Sequence, residues 1–494
     1  MLCWVLVPVV AAGLGLAMTT PTWAAAPVVA YVAVGGSDAA GCTSSAPCAT
    51  VNAAVATVAS GGTVYVGVGT FAGPVNILGG ETVDIAGAGA TNTILSGHLA
   101  GPVVSISPGA SATLSGLTVT QGVGDKGGGV VNNGTANLDH VRVAFNLGTY
   151  GGGGVWNGGR LTVTDSEIID NTADGVGGGG LLSGGLLTWG VSATISRSLI
   201  AQNTAENTSG GGLANLSGAL TVQDSTITGN HAPTGHGGGI NVVPVGGGVG
   251  LTLRHVTVSG NDARLGGGLN PVVTGNLTID GSVFAGNLGG DCAAAIDDDI
   301  TEGLFHSHYS MDSDGTCAVP GSGIRGGVDP QLSDLVDNGG PWPTEAIPTT
   351  SPAHEVIPAA DPLCDELDQR AEPRDYPDST GCDLGAYQNT GTATELISPA
   401  SVAFGDGPAV AEVDITNSGT TPLIIGSRTF SDDVGLTMVP IDCPLRRAEA
   451  PGWVCRLQVS YNGAGGWHSA RLVLTGNAGT GSQTILVTAD GPVG

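Results

Sequence analysis

The sequence predicts an all-β protein in which a coil of stacked parallel strands, a β-helix, is followed by a small β-sandwich. Three observations support this prediction. A short motif recurs at a nearly constant spacing, strand-like segments alternate apolar and polar residues, and no stretch between the repeats has the pattern of a crossover helix. Similarity at a fixed period indicates units that stack on one another, so successive strands must pair by winding.

The repeat consists of an apolar residue, two spacers, an asparagine, a loop and a run of glycines. Its six copies are marked by Asn146, Asn171, Asn203, Asn230, Asn261 and Asn287. Subtracting neighbouring numbers gives spacings of 25, 32, 27, 31 and 26 residues, which suit one turn of a coil. Stacking would place each asparagine above the one before. Since an amide both donates and accepts hydrogen bonds, we expect a structural ladder and not a ligand site.

The repeat resembles those of the polymorphic outer membrane proteins and of related bacterial β-helix surface proteins. Phe284-Ala-Gly-Asn287 matches their Phe-x-x-Asn literally, the other copies have Val or Ile in place of Phe, and the glycine run lacks their final Ala. The resemblance covers about residues 119–287 and carries over no catalytic residue. It implies a right-handed parallel β-helix that is secreted by a bacterium or displayed on its surface.

The chain before the repeats divides into an export signal and a cap. Residues 1–26 are predicted to be a signal peptide, because an apolar run at residues 5–18 precedes small-x-small cleavage patterns, although the first twenty residues contain no Lys or Arg. The run is short for a membrane-spanning helix, so a retained anchor is the less favoured alternative. Residues 27–60 resemble the opening of pectin-lyase-like β-helices, with a capping helix at about residues 50–59. The coil itself is predicted over residues 61–328.

Two further segments follow the coil. Residues 329–390 include Asp337-Asn-Gly-Gly-Pro341, Asp368-Gln-Arg370 and Cys382-Asp-Leu-Gly-Ala-Tyr387. These motifs resemble the "choice-of-anchor Q" region that closes many secreted bacterial β-helices, although Trp342 departs from its pattern.

Residues 397–494 contain short alternating strands and turn signals, which predict a β-sandwich. Asn417-Ser-Gly419 followed by Leu423-Ile-Ile425 resembles the immunoglobulin-like "choice-of-anchor D" modules. No transmembrane segment is expected once the signal is removed.

Eight cysteines remain after Cys3 leaves with the signal, and they fall as sequential neighbours. The four expected disulfides are Cys42-Cys48, Cys292-Cys317, Cys364-Cys382 and Cys443-Cys455. Local disulfides indicate an oxidising compartment, so we expect a secreted or extracellular protein. Free buried thiols are the alternative.

The charge of the chain excludes some partners. Lys and Arg number 14 against 42 Asp and Glu, giving a formal net charge of −28. Such a surface repels phosphate backbones, so nucleic acid is not expected as a partner, and polyanionic sugars are disfavoured unless calcium bridges them. Asp297-Asp-Asp299 and Asp312-Ser-Asp314 are calcium candidates, but the second lacks the Glu of an EF-type loop. No other cofactor is expected.

Catalysis is the alternative function, because β-helices also host polysaccharide lyases and glycoside hydrolases. The single lysine, Lys126, lies in a glycine loop and is a poor lyase base. Gly235-His236-Gly237 imitates one fragment of a polygalacturonase signature without its carboxylate partners. Asp139, Asp165, Asp224 and Asp280 precede their asparagines by six or seven residues and are expected to stack in a solvent-facing or turn-capping column. If the chain is an enzyme, its candidate residues are Asp165, Asp224, His236 and Asp280.

Three aromatic residues are candidates for a sugar-stacking face: Tyr150, Trp156 and Trp189. Trp156 is equally compatible with packing inside the repeat. The sequence favours a non-catalytic adhesin or carbohydrate-binding protein whose ligand is a cell-surface glycan or protein. A polysaccharide lyase or hydrolase is the alternative, and a passive spacer is a third possibility.

Overall fold

The computed structural model forms a right-handed parallel β-helix followed by a β-sandwich. It describes residues 26–39, 41–184, 190–245, 248–272, 275–293, 305–318, 323–375, 379–390, 395–404, 408–418, 423–431, 435–445, 448–449, 452–462, 466–476, 478 and 482–491. The predicted signal peptide lies outside these residues, apart from Ala26. None of the helices in these ranges has the length and apolar character needed to cross a membrane.

Three parallel sheets run along the coil. The largest, sheet 1, has 18 strands: Val29–Val32, Gly62–Val66, Gly69–Ala72, Thr82–Gly87, Thr93–Ser96, Ser111–Thr120, Thr135–Ala144, Arg160–Thr164, Glu167–Ile169, Ser192–Ser196, Leu199–Ala201, Gly218–Thr228, Val249–Ser259, Leu277–Asp280, Val283–Ala285, Phe305–His308, Ser310–Asp312 and Ile324–Arg325. Sheet 2 has eight strands: Val75–Ile77, Val104–Ile106, Val130–Asn132, Val155–Asn157, Leu181–Ser183, Leu213–Asn215, Ile240–Val242 and Leu269–Pro271. Sheet 3 has six strands: Val123–Lys126, Leu147–Gly151, Thr172–Ala173, Thr204–Ala205, His231–His236 and Asp262–Leu265.

Equivalent positions of successive turns stack in register. In sheet 2, for example, Leu213 pairs with Ile240, and Ile240 pairs with Leu269. The inward members of the alternating strands form one apolar cluster that extends from Ala30 to Cys317. Because each turn buries its apolar face against the turns on either side, the narrow interior needs Val, Ile, Leu and Ala and few aromatic residues.

A short helix covers the first turn of the coil. It spans Val51–Thr57, and Thr50 caps its N-terminus by accepting a hydrogen bond from Ala53 N on its side chain. Val51 and Ala54 are buried in the same apolar cluster as the coil. The helix therefore protects the end of the core.

Two corners of each turn use left-handed backbone at fixed positions. At one corner, φ is +46° at Asp165, +45° at Arg197, +47° at Asp224 and +50° at His255. At the other corner, the residue before the ladder asparagine has positive φ, as at Phe145, where φ is +57°. Glycine adopts this conformation without steric cost, but a regular stack of neighbours also holds other residues in it.

Residues 329–390, which we call the closing segment, lie along the side of the coil and not across its end. The segment contains two short antiparallel pairs, Leu335–Val336 with Thr344–Glu345 and Ile357–Pro358 with Gly381–Cys382, and a 3₁₀ helix at Pro362–Asp365. Its apolar residues, including Ile347 and Leu384, pack with Val283 and Met311 of the coil.

The C-terminal part is a two-sheet sandwich. One sheet contains Glu395–Ser398, Ala409–Asn417, Leu436–Ile441 and Val454–Tyr461. The other contains Ser401–Phe404, Leu423–Phe430, Ala448–Glu449, Gly466–Gly476 and Ser482–Gly491. Val413, Leu457, Leu472 and Val487 belong to its own apolar core, which is separate from that of the coil. Its membership of an immunoglobulin-like family stays a prediction.

All four cysteine pairs expected from the sequence lie within disulfide distance. The bonds join Cys42 to Cys48, Cys292 to Cys317, Cys364 to Cys382 and Cys443 to Cys455. One of them lies in the cap, one at the last turns of the coil, one in the closing segment and one in the sandwich. This distribution is typical of a protein of an oxidising, extracellular environment.

Candidate functional site

The six repeat asparagines form a ladder inside the coil. The Nδ2 of each of the first five asparagines donates to the Oδ1 of the next at 2.9–3.0 Å, and the same Oδ1 accepts the main-chain N–H of the preceding asparagine. In Asn203, for example, the second Nδ2 hydrogen is donated to Ile168 O at 2.9 Å. All donors and acceptors of this amide are therefore used within the coil, and none is left for a ligand.

Two further ladders were not anticipated from the sequence. Ser166, Ser198, Ser225 and Ser282 are buried, and their hydroxyls accept main-chain N–H groups of the neighbouring turn at 3.0–3.1 Å. Each lies five residues before a ladder asparagine, so the signal was present in the spacing. In sheet 2, Asn132 Nδ2 donates to Asn157 Oδ1 at 2.8 Å.

The predicted column of four aspartates is wrong in its register. Asp165 and Asp224 occupy the left-handed corner of sheet 1, where Arg197 lies on the turn between them. Asp139 and Asp280 lie one position earlier, in register with Thr164 and Arg254 respectively. The four carboxylates thus belong to two different columns, because the corner shifts the side-chain position by one residue.

The corner column alternates in charge. Arg197 donates from Nε and Nη2 to the two carboxylate oxygens of Asp165 at 2.9 and 2.7 Å. Asp224 pairs with Arg374 of the closing segment at 2.9 Å. Asp165 and Asp224 are therefore each neutralised by an arginine and lie two turns, or roughly 10 Å, apart. This arrangement does not provide an acid–base pair.

Asp224 and Arg374 form a buried ion pair across 150 residues of sequence. Their side chains are 5% and 0% exposed. Burial raises the pKa of Asp224 to about 6, although Arg374 lowers it. A raised carboxyl pKa is a common feature of catalytic acids, but this group is closed off from a polymeric substrate by the closing segment.

The other two candidate catalytic residues are not brought to this column. His236 lies in sheet 3, where its main-chain N–H donates to Ser209 Oγ at 3.0 Å. Asp280 accepts hydrogen bonds from the main-chain N–H of His308 at 3.0 Å and lies 3.2 Å from its Nδ1. Asp165, Asp224, His236 and Asp280 are therefore not brought together in one place. The prediction that these four residues form a catalytic site, if the chain is an enzyme, is wrong.

Most turns of the coil give sheet 1 one strand segment before the left-handed corner and one after it. The closing segment covers segments that follow the corner. Thr226 donates to Gln369, Thr228 and Ser259 both donate to Glu345, and Ala386 N donates to Thr257 Oγ1. These four coil residues point outward but are at most 6% exposed. Burial raises the pKa of Glu345, and its hydrogen bonds from Ser259 and Thr228 oppose that shift.

The contacts of the closing segment with the coil have clear ends. Their hydrogen bonds run from Asp165, whose main-chain O accepts the Trp342 indole N–H at 2.8 Å, to Gly281, whose O accepts Gly385 N–H at 2.7 Å, and apolar packing continues to Met311. Within the described residues, none of its hydrogen bonds reaches a turn before Asp165. The first turns of sheet 1 therefore remain uncovered by this segment.

The predicted sugar-stacking residues do not form an open platform. Trp156 is 3% exposed and packs in a small apolar cluster with Leu182 and Ala214, which contradicts its assignment as a binding residue. Tyr150 is 41% exposed, and its ring lies 5.9 Å from that of Trp156. Trp189 lies outside the described residues.

A different aromatic pair occupies the uncovered turns. Tyr31 and Tyr65 are in register on adjacent strands, with ring centroids 5.7 Å apart and planes inclined by 27°. Tyr65 is 48% exposed. The two rings line a depression of about 340 Å³ together with Ser44 and Pro47 of the loop closed by the Cys42–Cys48 disulfide, and with Ala86 on the next turn. Sequence reasoning missed this pair because its members are separated by the cap.

A polar column runs beside the tyrosines on the same outward face. Successive turns contribute Thr63, Asp84, Thr113, Asn137, Thr162 and Thr194. Thr63 lies two residues before Tyr65 and so points in the same direction. The uncovered face thus combines two aromatic rings with a row of mostly uncharged hydrogen-bonding groups.

In the part of the chain that the structure describes, two groups of acidic and histidine side chains come close enough to share a cation. One comprises Asp139, His140 and Asp165, and the other comprises Asp291, Asp312 and Asp314. The first already contains internal pairs, since His140 Nδ1 lies 2.9 Å from Asp139 and Arg197 holds Asp165. The calcium candidates at residues 297–299 lie outside the described residues.

Comparison with known proteins supports the fold and does not identify the activity. The family model described as "Right handed beta helix region" matches residues 86–263. No curated protein matches the chain.

Three solved structures illustrate the range of similarity. A protein of unknown function from Porphyromonas gingivalis W83 is 23% identical with a TM-score of 0.18, and the match spans 21% of this chain and half of that one. The pectate lyase Pel9A is 14% identical with a TM-score of 0.47, over 73% of this chain and 96% of that one. The secreted serine protease VesC from Vibrio cholerae is 15% identical with a TM-score of 0.17, over 20% and 23%. None of the three provides an argument about activity.

Proposed function

We propose that the chain is a non-catalytic, extracellular β-helix protein that binds an uncharged glycan on the face formed by its first turns. The observation that supports this proposal is the stacked pair of half-buried Tyr31 and exposed Tyr65 beside a column of mostly uncharged polar side chains. Aromatic rings supply large, rigid apolar contact area, and a few polar groups nearby fix the orientation of a ligand.

The charge of the molecule favours a neutral ligand. With a net charge of −28, the chain repels uronate polymers and other polyanions over the Debye length. No lysine or arginine is among the residues that line the depression. An uncharged polysaccharide needs no such partner, because it is held by stacking and hydrogen bonds.

The positions of the carboxylates argue against the lyase or hydrolase alternative. Asp165 and Asp224 are held by arginines, and Asp224 is buried. A glycosidase needs two carboxyl groups within reach of one glycosidic bond, one of them free to protonate the leaving oxygen.

We also infer that the chain belongs among the secreted bacterial β-helix surface proteins that its repeat and its closing segment resemble. The stacked repeat and the four disulfides support this placement. The sandwich would then be the module that connects the coil to a surface or a partner.

Binding to a glycan array, followed by calorimetric titration with the best neutral oligosaccharide, tests the proposal. Tyr65→Ala should weaken binding by about tenfold or more, since a central aromatic anchor typically contributes over 1.4 kcal/mol. Phe145→Ala is the matched control, because Phe145 is also an exposed aromatic residue, 58% exposed, but lies on another corner of the coil. Equal affinity in wild type and Tyr65→Ala would contradict the assignment of the face.

A depolymerisation screen on neutral and acidic polysaccharides, with and without calcium, separates binding from catalysis. We expect no new reducing ends and no unsaturated products. Turnover that exceeds a mock purification would favour the enzyme alternative and would direct mutagenesis to the cluster of Asp139, His140 and Asp165.

A further inference from the structure

At the last turns of the coil, the asparagine ladder ends on a carboxylate. Asn287 donates from Nδ2 and from its main-chain N–H to Oδ1 of Asp291, which takes the place of the next asparagine. The Oδ2 of Asp291 accepts the N–H and the Oγ–H of Ser313 at 2.8 Å. Asp291 thereby ties the turn that carries Asn287 to the turn that carries Ser313.

Two more carboxylates converge on Asp291. One carboxylate oxygen from each of Asp291, Asp312 and Asp314 lies within 4.8 Å of the others. Two oxygens on opposite sides of a calcium ion, each at about 2.4 Å, are about 4.8 Å apart. The spacing therefore suits one calcium ion held by three carboxylates.

Asp312 provides an independent reason to expect a ligand. Its side chain is fully buried, and its Oδ2 accepts the N–H of Cys317 at 2.7 Å, while its Oδ1 accepts no hydrogen bond of normal geometry, although the Gly327 N–H lies near enough to lower the pKa of the carboxyl. A buried carboxylate oxygen without a partner is costly unless a proton or a cation satisfies it. Burial, together with the neighbouring charges of Asp291 and Asp314, raises the pKa of Asp312.

Positive charge is lacking around the cluster. Among the described residues, no ion pair involves Asp291, Asp312 or Asp314, and the charges that act on Asp312 are those of the two other aspartates. This differs from Asp224 and Asp165, each of which has an arginine partner. A bound divalent cation would provide the missing compensation.

We propose that Asp291, Asp312 and Asp314 form a calcium site that fixes the C-terminal end of the asparagine ladder. The Cys292–Cys317 disulfide joins the two segments that supply the ligands, so the site is preorganised. Calcium takes six to eight oxygen ligands, and we expect water and neighbouring main-chain oxygens to complete the shell. Binding would couple the stability of the last turns to the calcium concentration outside the cell.

The test uses the full chain. We expect calcium chloride, added after EDTA treatment, to bind with a stoichiometry near one in calorimetry and to raise the thermal unfolding midpoint by several degrees. Asp312→Asn and Asp314→Asn should each weaken binding by about tenfold or more, because each removes one ligand charge. Asp314 is exposed, so Asp314→Asn tests the site even if Asp312→Asn does not fold. Asp139→Asn, in the other acidic cluster, should bind calcium as the wild type does.

Several outcomes would overturn the proposal. Absence of binding heat and of a midpoint shift in the wild type at millimolar calcium would do so directly. Unchanged affinity in both Asp312→Asn and Asp314→Asn would place the ion elsewhere. An equal midpoint shift with magnesium at the same concentration, or an equal loss of binding in Asp139→Asn, would indicate general screening of an acidic surface.

Discussion

Replacing Arg374 by methionine tests how the closing segment is held on the coil. Arg374 is fully buried, and its Nη2 donates to Asp224 Oδ1 and to Gly385 O, both at 2.9 Å. Methionine preserves much of the volume but removes the charge, so Asp224 is left buried without its partner. Breaking a buried ion pair by removing one member costs about 3–5 kcal/mol.

The loss should appear in the closing segment before the rest of the molecule. Native-state hydrogen exchange with mass spectrometry measures the free energy of opening for peptides of residues 329–390. Since every 1.4 kcal/mol is a factor of ten, their exchange should become about 10²- to 10³-fold faster in Arg374→Met. Peptides of the early turns, such as residues 62–87, have no contact with Arg374 and should exchange as in the wild type.

The raised pKa of Asp224 makes the free energy of unfolding depend on pH. Asp224 has a pKa of about 6 in the folded chain, above its ordinary 3.8, so the folded state binds the proton more tightly than the unfolded state. Its contribution to the free energy of unfolding is therefore greatest below about pH 4, falls as the pH rises towards 6, and is level above that.

In Arg374→Met, the pKa of Asp224 rises further because the arginine no longer lowers it. The free energy of unfolding of Arg374→Met should therefore fall furthest below that of the wild type above pH 7. This difference should be smaller by about 1–3 kcal/mol at pH 5, where Asp224 is protonated. The double variant Asp224→Asn/Arg374→Met should show little of this pH dependence. An exchange rate in Arg374→Met within tenfold of the wild type at pH 7.5, or a penalty that does not change with pH, would refute the reasoning.

Two further predictions concern the ladder and the disulfide of the closing segment. Asn203→Ala removes four buried hydrogen bonds and should lower the free energy of unfolding by about 3 kcal/mol or more. The control is Asn207→Ala, at an exposed residue, which should change the free energy of unfolding by less than about 0.5 kcal/mol. Chemical denaturation measures both values. Cys364→Ala/Cys382→Ala opens a link between residues 18 apart and should destabilise the closing segment by about 3 kcal/mol, measured by hydrogen exchange. No loss in either variant would contradict its assigned role.

The coil was predictable because its interactions are local and periodic. Asn203 contacts the asparagines one repeat before and one repeat after it, so the spacing of the motif alone indicates the ladder. The disulfides follow the same logic, since Cys364 and Cys382 are neighbours among the cysteines. The ladder can be predicted from the repeat spacing and the disulfides from the order of the cysteines, and both are visible in the sequence.

The prediction that four aspartates form one column was wrong because their spacings to the ladder asparagines differ by one residue. Asp165 and Asp224 precede their asparagines by six residues, whereas Asp139 and Asp280 precede theirs by seven. In a strand, one residue decides the side to which a side chain points, and here it also separates the corner from the strand. Treating six and seven as equivalent merged two columns that the coil keeps apart.

The position of the closing segment was not predictable from periodicity. Thr226 and Thr257 alternate with apolar residues, which predicts that they face solvent, yet both are buried beneath residues 329–390. Their contacts join positions more than a hundred residues apart. The absence of charged residues at these outward positions was the available signal, since an exposed strand of so acidic a chain would be expected to carry some.

The closing segment also limits which part of the outward face of the coil is open to solvent. It covers outward side chains of the coil from Asp165 to Met311, and its Arg374 pairs with Asp224, whose raised pKa would otherwise suit a catalytic acid. The tyrosine pair lies on the early turns outside this cover, and the three clustered aspartates lie on the last turns of the ladder. Between these two proposed sites lie the turns that the closing segment covers. On the two proposals above, the coil would hold a glycan-binding face and a calcium-stabilised end apart, an arrangement that would suit binding better than turnover.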